Sequence, residues 1–203
     1  MDWGLGIRDD RADRATPRRA QLLEPITCEA GRVILETKRL QLAPLGPGLA
    51  EQLWDVYSDP EVARFVGGDS LTHAVTREQA TWFSQVWKER GYGQSAVFWR
   101  ATGQMIGRIG LSYWPEWEEV ELGYVLSRAA QGQGLAQEGA RAWIDWATAN
   151  LSEDHLIAVI HPDNAPSARL AQRLGFSVDR REVTRGGIDV IVYRLDIRTP
   201  DCG

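Results

Sequence analysis

The sequence predicts a mixed α/β domain, a single sheet with helices on both of its faces. Three observations predict it. Read by apolar period, the chain runs β-α-α-β-β-β-α-β-α-β-β, neither a doubly wound alternation nor an all-β series. Two apolar runs, 120–126 and 156–160, sit either side of an amphipathic helix, and the second is unbroken, as in a strand buried on both faces. The first run leads into that helix through a glycine turn, Gln131-Gly132-Gln133-Gly134.

Residues 1–35 mix Arg with Asp, as in Arg8-Asp9-Asp10-Arg11, and hold few large apolar side chains. They are expected to form a flexible arm, with the domain over 36–196 and a short tail over 197–203. Leu35 to Leu45 alternates and reads as the first strand, closed by Pro44 and Gly46-Pro47-Gly48. Leu49 to Tyr57 reads as a helix, Asp59-Pro60 interrupts it, and a short helical turn is expected over Val62 to Val66. Thr76-Arg77-Glu78 is expected to start the next helix, with Ala80, Phe83, Val86 and Trp87 at spacings of three and four, ending at Gly91. Residues 95–100 and 104–112 form a hairpin about Thr102-Gly103, and Trp114-Pro115-Glu116-Trp117 links it to the strand 120–126. Leu135, Ala136, Gly139, Ala140, Trp143, Ile144 and Ala147 fall on one face of the following helix. After the strand 156–160, His161-Pro162-Asp163-Asn164 opens a helix that Gly175 stops. Runs 176–183 and 188–195 then pair around Gly186-Gly187.

Composition excludes several classes. At 203 residues, 43% hydrophobic and 25% charged, the chain suits one soluble globular domain. A net charge of −5 argues against nucleic acid or an anionic membrane as partner. Cys28 and Cys202 have no CxxC neighbour and no metal-ligand spacing, so no metal is expected. Without a long apolar run or signal segment, the expected location is the cytoplasm.

A strand, a glycine turn and a helix N-terminus make an anion site, because the first helical amides lack partners and the macrodipole is positive there. Gly132 and Gly134 let the backbone approach a phosphate and visit positive φ. No Lys or Arg lies between Gln131 and Ala140, so the amides are expected to do most of the holding. Gly132-x-Gly134 is also half of a dinucleotide fingerprint, but position 137 is Gln where a third Gly is wanted. No Gly-Lys-Ser/Thr follows, which excludes a P-loop; a glycine turn without a ligand stays open.

Gln131-x-x-Gly134-x-Ala136, after Glu121-Leu122-Gly123-Tyr124, resembles the acetyl-CoA motif of the GCN5-related N-acetyltransferases (GNAT). Asn164-Ala165-Pro166-Ser167, followed by Leu174-Gly175-Phe176, resembles that family's second segment, and the two lie about 30 residues apart. The opening Thr37-Lys38-Arg39-Leu40 looks like the RimJ/RimL branch, whose members acetylate protein N-terminal amines or small amines. The resemblance covers roughly 36–196 and implies the GNAT acyl-CoA N-acyltransferase fold, a mostly antiparallel sheet splayed at its centre between strands 120–126 and 156–160.

The resemblance implies acetyl-CoA as cosubstrate, with no metal. Gln131, Gly132, Gln133, Gly134, Leu135 and Ala136 would cradle the pyrophosphate, and Asn164 would meet the pantetheine arm. A backbone N–H at Val125 or Leu126 would face the developing oxyanion. Ser167 is a candidate donor to the leaving thiolate, since the segment after Asn164 has no Tyr for the family's general acid. Glu121 is the expected base and Glu119, on the same strand face, its reserve. Trp114 and Trp117 are expected to wall the acceptor site. The partners expected are acetyl-CoA and an amine, with the protein a monomer or homodimer. A silent CoA-binding sensor and a generic nucleotide-binding domain remain as alternatives.

Overall fold

The computed structural model describes residues 35–198. The arm and tail expected at the ends lie almost wholly outside the described residues. The first expected strand divides into β1 (Leu35–Glu36) and β2 (Leu40–Pro44), because a tight turn folds it back on itself. Thr37 N–H donates to Leu40 O (2.9 Å) across that turn.

Helix α1 (Ala50–Tyr57) is followed by α2 (Pro60–Ala63), where the Asp59 carboxylate accepts from Glu61 N–H at 3.0 Å. Helix α3 (His73–Arg90) starts earlier than the sequence suggests, since its cap is Thr72, whose hydroxyl accepts from Val75 N–H at 3.3 Å. Strands β3 (Gln94–Trp99) and β4 (Gln104–Trp114) form the expected hairpin, but β4 runs on to include Trp114. Strand β5 (Glu119–Leu126) leads to α4 (Leu135–Asn150), then β6 (His155–Ile160) and α5 (Ala165–Leu174). Strands β7 (Ser177–Val183) and β8 (Asp189–Asp196) close the chain.

The sheet order is β1-β2-β3-β4-β5-β6-β8-β7. Neighbours are antiparallel except β5 and β6, which are parallel. Those two share a single registered pair, Glu121 with Ile157, whereas β4 and β5 stay in register from Gly107–Leu126 to Trp114–Glu119. Beyond Glu121 the central strands part, and the sheet is splayed there.

Each face of the sheet carries a separate apolar cluster. Helices α4 and α5 cover one, with Trp143, Ala140, Leu111 and Leu156 buried beneath them. A Cβ on Gly139 would stand 2.7 Å from Ile109 Cδ1, so the missing side chain is what lets α4 lie this close. Helices α1 and α3 cover the other face, over Leu53, Tyr57, Phe83 and Phe98. Each fully buried Leu or Ile contributes about 1.5–3 kcal/mol to holding the layers together.

Candidate active site

The glycine turn is built by its own backbone. Leu126 O accepts from Gln131 Nε2 (2.9 Å), which draws the turn over the end of β5. Gly132 and Gly134 have φ of +72° and +74°, conformations that favour glycine. Gly134 is itself the N-cap of α4 and brings no side-chain cap. The amides of Leu135 and Ala136 are therefore uncapped donors at the positive end of a long helix.

A cation that no local motif announces stands at the rim of this turn. Arg39 Nη1 donates to Gln133 O (2.9 Å) and its Nε to Glu138 Oε2 (2.6 Å). Thr37 Oγ1 and Arg39 N–H donate to Glu138 Oε1 at 2.5 and 2.8 Å. Burial would raise the Glu138 carboxyl, but the Thr37 hydroxyl and the Arg39 donors outweigh it and hold it below the usual range. Arg39 Nη2 lies 3.6 Å from where a Cβ on Gly134 would be.

The two candidate oxyanion amides face opposite ways. Ser127 N–H donates to Ile106 O (2.8 Å), which continues the β4–β5 ladder. By the alternation of an antiparallel ladder, the odd-numbered residues of β5 turn N–H towards β4, and the even-numbered ones turn it towards β6. By that alternation the Val125 amide faces β4, so of the two expected donors it is the less suited. The Leu126 amide points to the edge where β6 has departed.

On the α1–α3 side of this splay is a cavity of about 220 Å³. Phe65, Trp82 and Phe83 form one wall, Trp114 and Glu121 another, and Asn164 and Ser167 line it at the splay. None of residues 131–136 lines it, so the turn and the cavity are separate features joined along β5.

Glu121 is 5% exposed, and Trp114 Nε1–H donates to its Oε2 at 2.8 Å. Burial pushes its carboxyl up, opposed by the Trp114 indole, the charge of Arg108 and the Val159 amide. Glu119, two residues away, has the opposite surroundings. It is bound by Arg180 and by His155 Nε2 (3.0 Å), and it does not line the cavity. Burial would raise it, but the hydrogen bonds from Arg180 and His155 prevail and hold it low. A carboxylate so held is a poor reserve base, because both of its oxygens already accept from the Arg180 guanidinium.

Asn164 caps α5, its Oδ1 accepting from Ser167 N–H at 3.2 Å, so its amide hydrogens are not used by the cap. Ser167 Oγ donates to Tyr124 Oη (3.2 Å), and Tyr124 Oη–H donates to Ser167 O (3.1 Å). Burial pushes the Tyr124 phenol up to about 12, against the Ser167 hydroxyl that lowers it. Trp114 and Trp117 stack with centroids 4.7 Å apart, but of the two only Trp114 lines the cavity; Trp117 backs it, with Arg180 5.4 Å from its ring.

Sequence reasoning missed Arg39, Arg108, Gln94 and Tyr124. Arg108 is 8% exposed and lines the cavity; its Nε donates to the Tyr57 hydroxyl and its Nη1 to Gln94 Oε1 at 2.8 Å. The available sign was the polar set Arg108-x-Gly110-x-Ser112 on one face of a strand otherwise apolar. Among the described residues no group of His, Cys, Asp and Glu is placed to hold a metal, and no helix is long and apolar enough to cross a membrane.

Residues 39–177 match the family model described as an acetyltransferase (GNAT) domain. The acetyltransferase from Agrobacterium tumefaciens str. C58 is 30% identical, with a TM-score of 0.69 over 87% of this chain and 98% of that one. A Bacillus licheniformis protein named N-acetyltransferase p20 is 27% identical over 70% of this chain and 81% of its own length. RimL, a ribosomal L7/L12 alpha-N-protein acetyltransferase solved with coenzyme A, has a TM-score of 0.66 at 19% identity, over 81% of this chain and 98% of that one. At that identity the likeness to RimL is one of fold. The matched model covers well over half of the chain, including the turn, the splay and the cavity lining up to Ser167, and on that ground the chain belongs to the GNAT family of acetyl-CoA-dependent N-acetyltransferases.

Proposed function

We propose that this enzyme acetylates the primary amine of a small molecule or of a peptide or protein N-terminus, by direct attack of the amine, with Glu121 as base. The observation that carries this is a buried carboxylate on the cavity wall at the residue where β5 and β6 part.

Acetyl-CoA supplies the activated carbonyl. The uncapped α4 amides of Leu135 and Ala136, with the turn Gln131–Gly134 and the Arg39 guanidinium at its rim, suit its pyrophosphate. The free amide hydrogens of Asn164 suit the pantetheine, which would run along the open edge of β5 as an added strand does. The Leu126 N–H on that edge is the donor suited to a developing oxyanion.

An aliphatic amine titrates near ~8–10, so it arrives mostly as ammonium. Glu121 accepts its proton, and burial, by raising the carboxyl above its usual range, makes it a stronger base than an exposed Glu. The C–N bond then forms, the C–S bond breaks, and the departing CoA thiolate takes up the second proton, which the attacking nitrogen sheds as it becomes an amide. Tyr124 at about 12 would give its proton uphill to a thiol of about 8.5, so with Ser167 it offers hydrogen bonds, not an acid. Trp114 fixes the Glu121 rotamer and walls the acceptor site, with Trp117 stacked behind.

CoA release from acetyl-CoA with a panel of amines tests the reading. Turnover that Glu121→Gln abolishes while CoA affinity is kept supports it. CoA binding without turnover on any amine would make the protein a silent sensor. We place the enzyme in the cytoplasm, as a monomer or homodimer without nucleic-acid or membrane partner, from its charge and composition.

A further inference from the structure

Among the described residues, Arg108 is a buried cation on the cavity wall with an incomplete set of partners. A guanidinium stays charged in proteins, and buried charges are nearly always paired. Yet its hydrogen-bond partners, the Tyr57 hydroxyl and the Gln94 carbonyl, are both neutral. The rings of Phe83 and Tyr57 lie 5.6 and 6.0 Å from it. Among the described residues no carboxylate comes within 4.0 Å of it, and its Nη2 donates to none of them. The other arginine on this cavity, Arg185, is exposed and already paired with Glu116 at 2.9 Å.

The guanidinium is also held in place. Gln94 Nε2 donates to Gly110 O (3.2 Å) and Ser112 Oγ (3.0 Å), which aims Gln94 Oε1 at Arg108. Between the two groups lies Gly123, where a Cβ would stand 3.3 Å from Gln94 Nε2, 3.6 Å from Arg108 Nη1 and 3.8 Å from Glu121 Oε1, so no side chain separates the cation from the base. A fixed cation and the proposed base therefore flank the same residue on the wall of a cavity of about 220 Å³. A ligand complementary to that pair is itself a short zwitterion.

Resting on the acetyltransferase reading above, we propose that the acceptor is an aminocarboxylate, a free amino acid whose carboxylate is taken by Arg108 while its amine meets Glu121. The aromatic wall of Phe65, Trp82 and Phe83 then receives an apolar body. A bidentate guanidinium–carboxylate pair reads a planar anion by geometry as well as charge. A peptide N-terminus offers an amide in place of that carboxylate and leaves the fork unfilled.

The test is CoA release by matched acceptors: glycine, β-alanine, 4-aminobutyrate, leucine, methionine and phenylalanine, each beside its amide and its decarboxylated amine. At least one free amino acid should exceed both partners in kcat/KM by roughly tenfold or more, the scale of a charge-assisted pair. In Arg108→Gln and Arg108→Lys that ratio should collapse towards one. The ratio, not the rate, is the readout, because losing Arg108 also alters Glu121 and so slows every acceptor together. Should Arg108→Gln not fold, as judged by its melt, Arg108→Lys carries the same criterion. Amides or plain amines that serve as well as the free amino acids overturn this proposal and leave the transferase reading standing. So does an amino-acid preference that survives both variants. CoA release with none of these compounds but with a peptide N-terminus overturns the proposal alone, and release with neither overturns both.

Discussion

The glycine turn and the cavity are the two halves of the proposed site, and they are built in opposite ways. The turn is local and made of backbone: Gln131 to Ala136 supply two positive-φ glycines and a row of uncapped amides within six residues. The cavity is assembled from side chains of α3, β4, β5, β6, α5 and the β7–β8 hairpin. Phosphate is the same in every acetyl-CoA, so backbone donors that any fold member can present suffice for it. The acceptor differs, and only side chains can read it.

The largest effect should come from breaking the backbone half. Gly134→Glu forces a side chain into a left-handed residue and adds negative charge where phosphate must lie. Two or three charge-assisted hydrogen bonds are at stake, each worth about 1.5–3 kcal/mol. CoA affinity by calorimetry should fall at least ~10²-fold, and unchanged affinity would move the cradle elsewhere.

Next is Glu121→Gln, which strikes the side-chain half. Turnover should drop by ~10²–10⁴, with CoA affinity nearly unaltered. In the wild type the rate should rise with pH through the raised Glu121 pKa, and the variant should lack that limb. A variant profile that keeps the limb would assign it to another group.

Arg39 joins the two modes, since a side chain from the start of β2 completes a backbone site. Arg39→Ala removes the donor to Gln133 O and unmasks Glu138, a carboxylate in the first turn of α4. The guanidinium is partly exposed, so solvent discounts its contribution. CoA affinity should weaken by roughly tenfold, and adding Glu138→Gln should recover part of that loss. No recovery would mean that Arg39 acts on the phosphate alone.

This contrast also explains what could be read in advance. The turn was legible because its glycines, its helix and its companion segment ending Leu174-Gly175-Phe176 are contiguous in sequence. So were both apolar runs and the place of the split. Arg108 was not legible. It alternates with Ile109 and Leu111 along β4, so the face it shares with Gly110 and Ser112 looks like a solvated one. Only the roof of α1 and α3, through Tyr57 and Phe83, makes that face an interior. Period-2 patterning separates two faces of a strand but cannot tell solvent from a polar pocket. Arg39 was hidden by distance, since its partner Gln133 lies 94 residues along the chain. Tyr124 was quoted as part of a motif, but its contact with Ser167 depends on how β5 and α5 meet.

The smallest effect on turnover should come from Glu119→Gln, although Glu119 and Glu121 share a strand face. Arg180 and His155 occupy the Glu119 carboxylate, and it stands outside the cavity wall. Its function is to tie β5 to β6 and β7, so its loss should appear in stability. Its folded pKa lies below the ordinary 4.5, so the stabilisation is present above 4.5 and disappears as pH falls through the depressed value. The variant should therefore melt below the wild type at pH 7, and the gap should close on acidification past that point. Turnover should change by less than about threefold, since no proton of the acceptor has to pass through this group. If Glu119→Gln instead loses as much turnover as Glu121→Gln at full stability, the two carboxylates have been assigned the wrong way round.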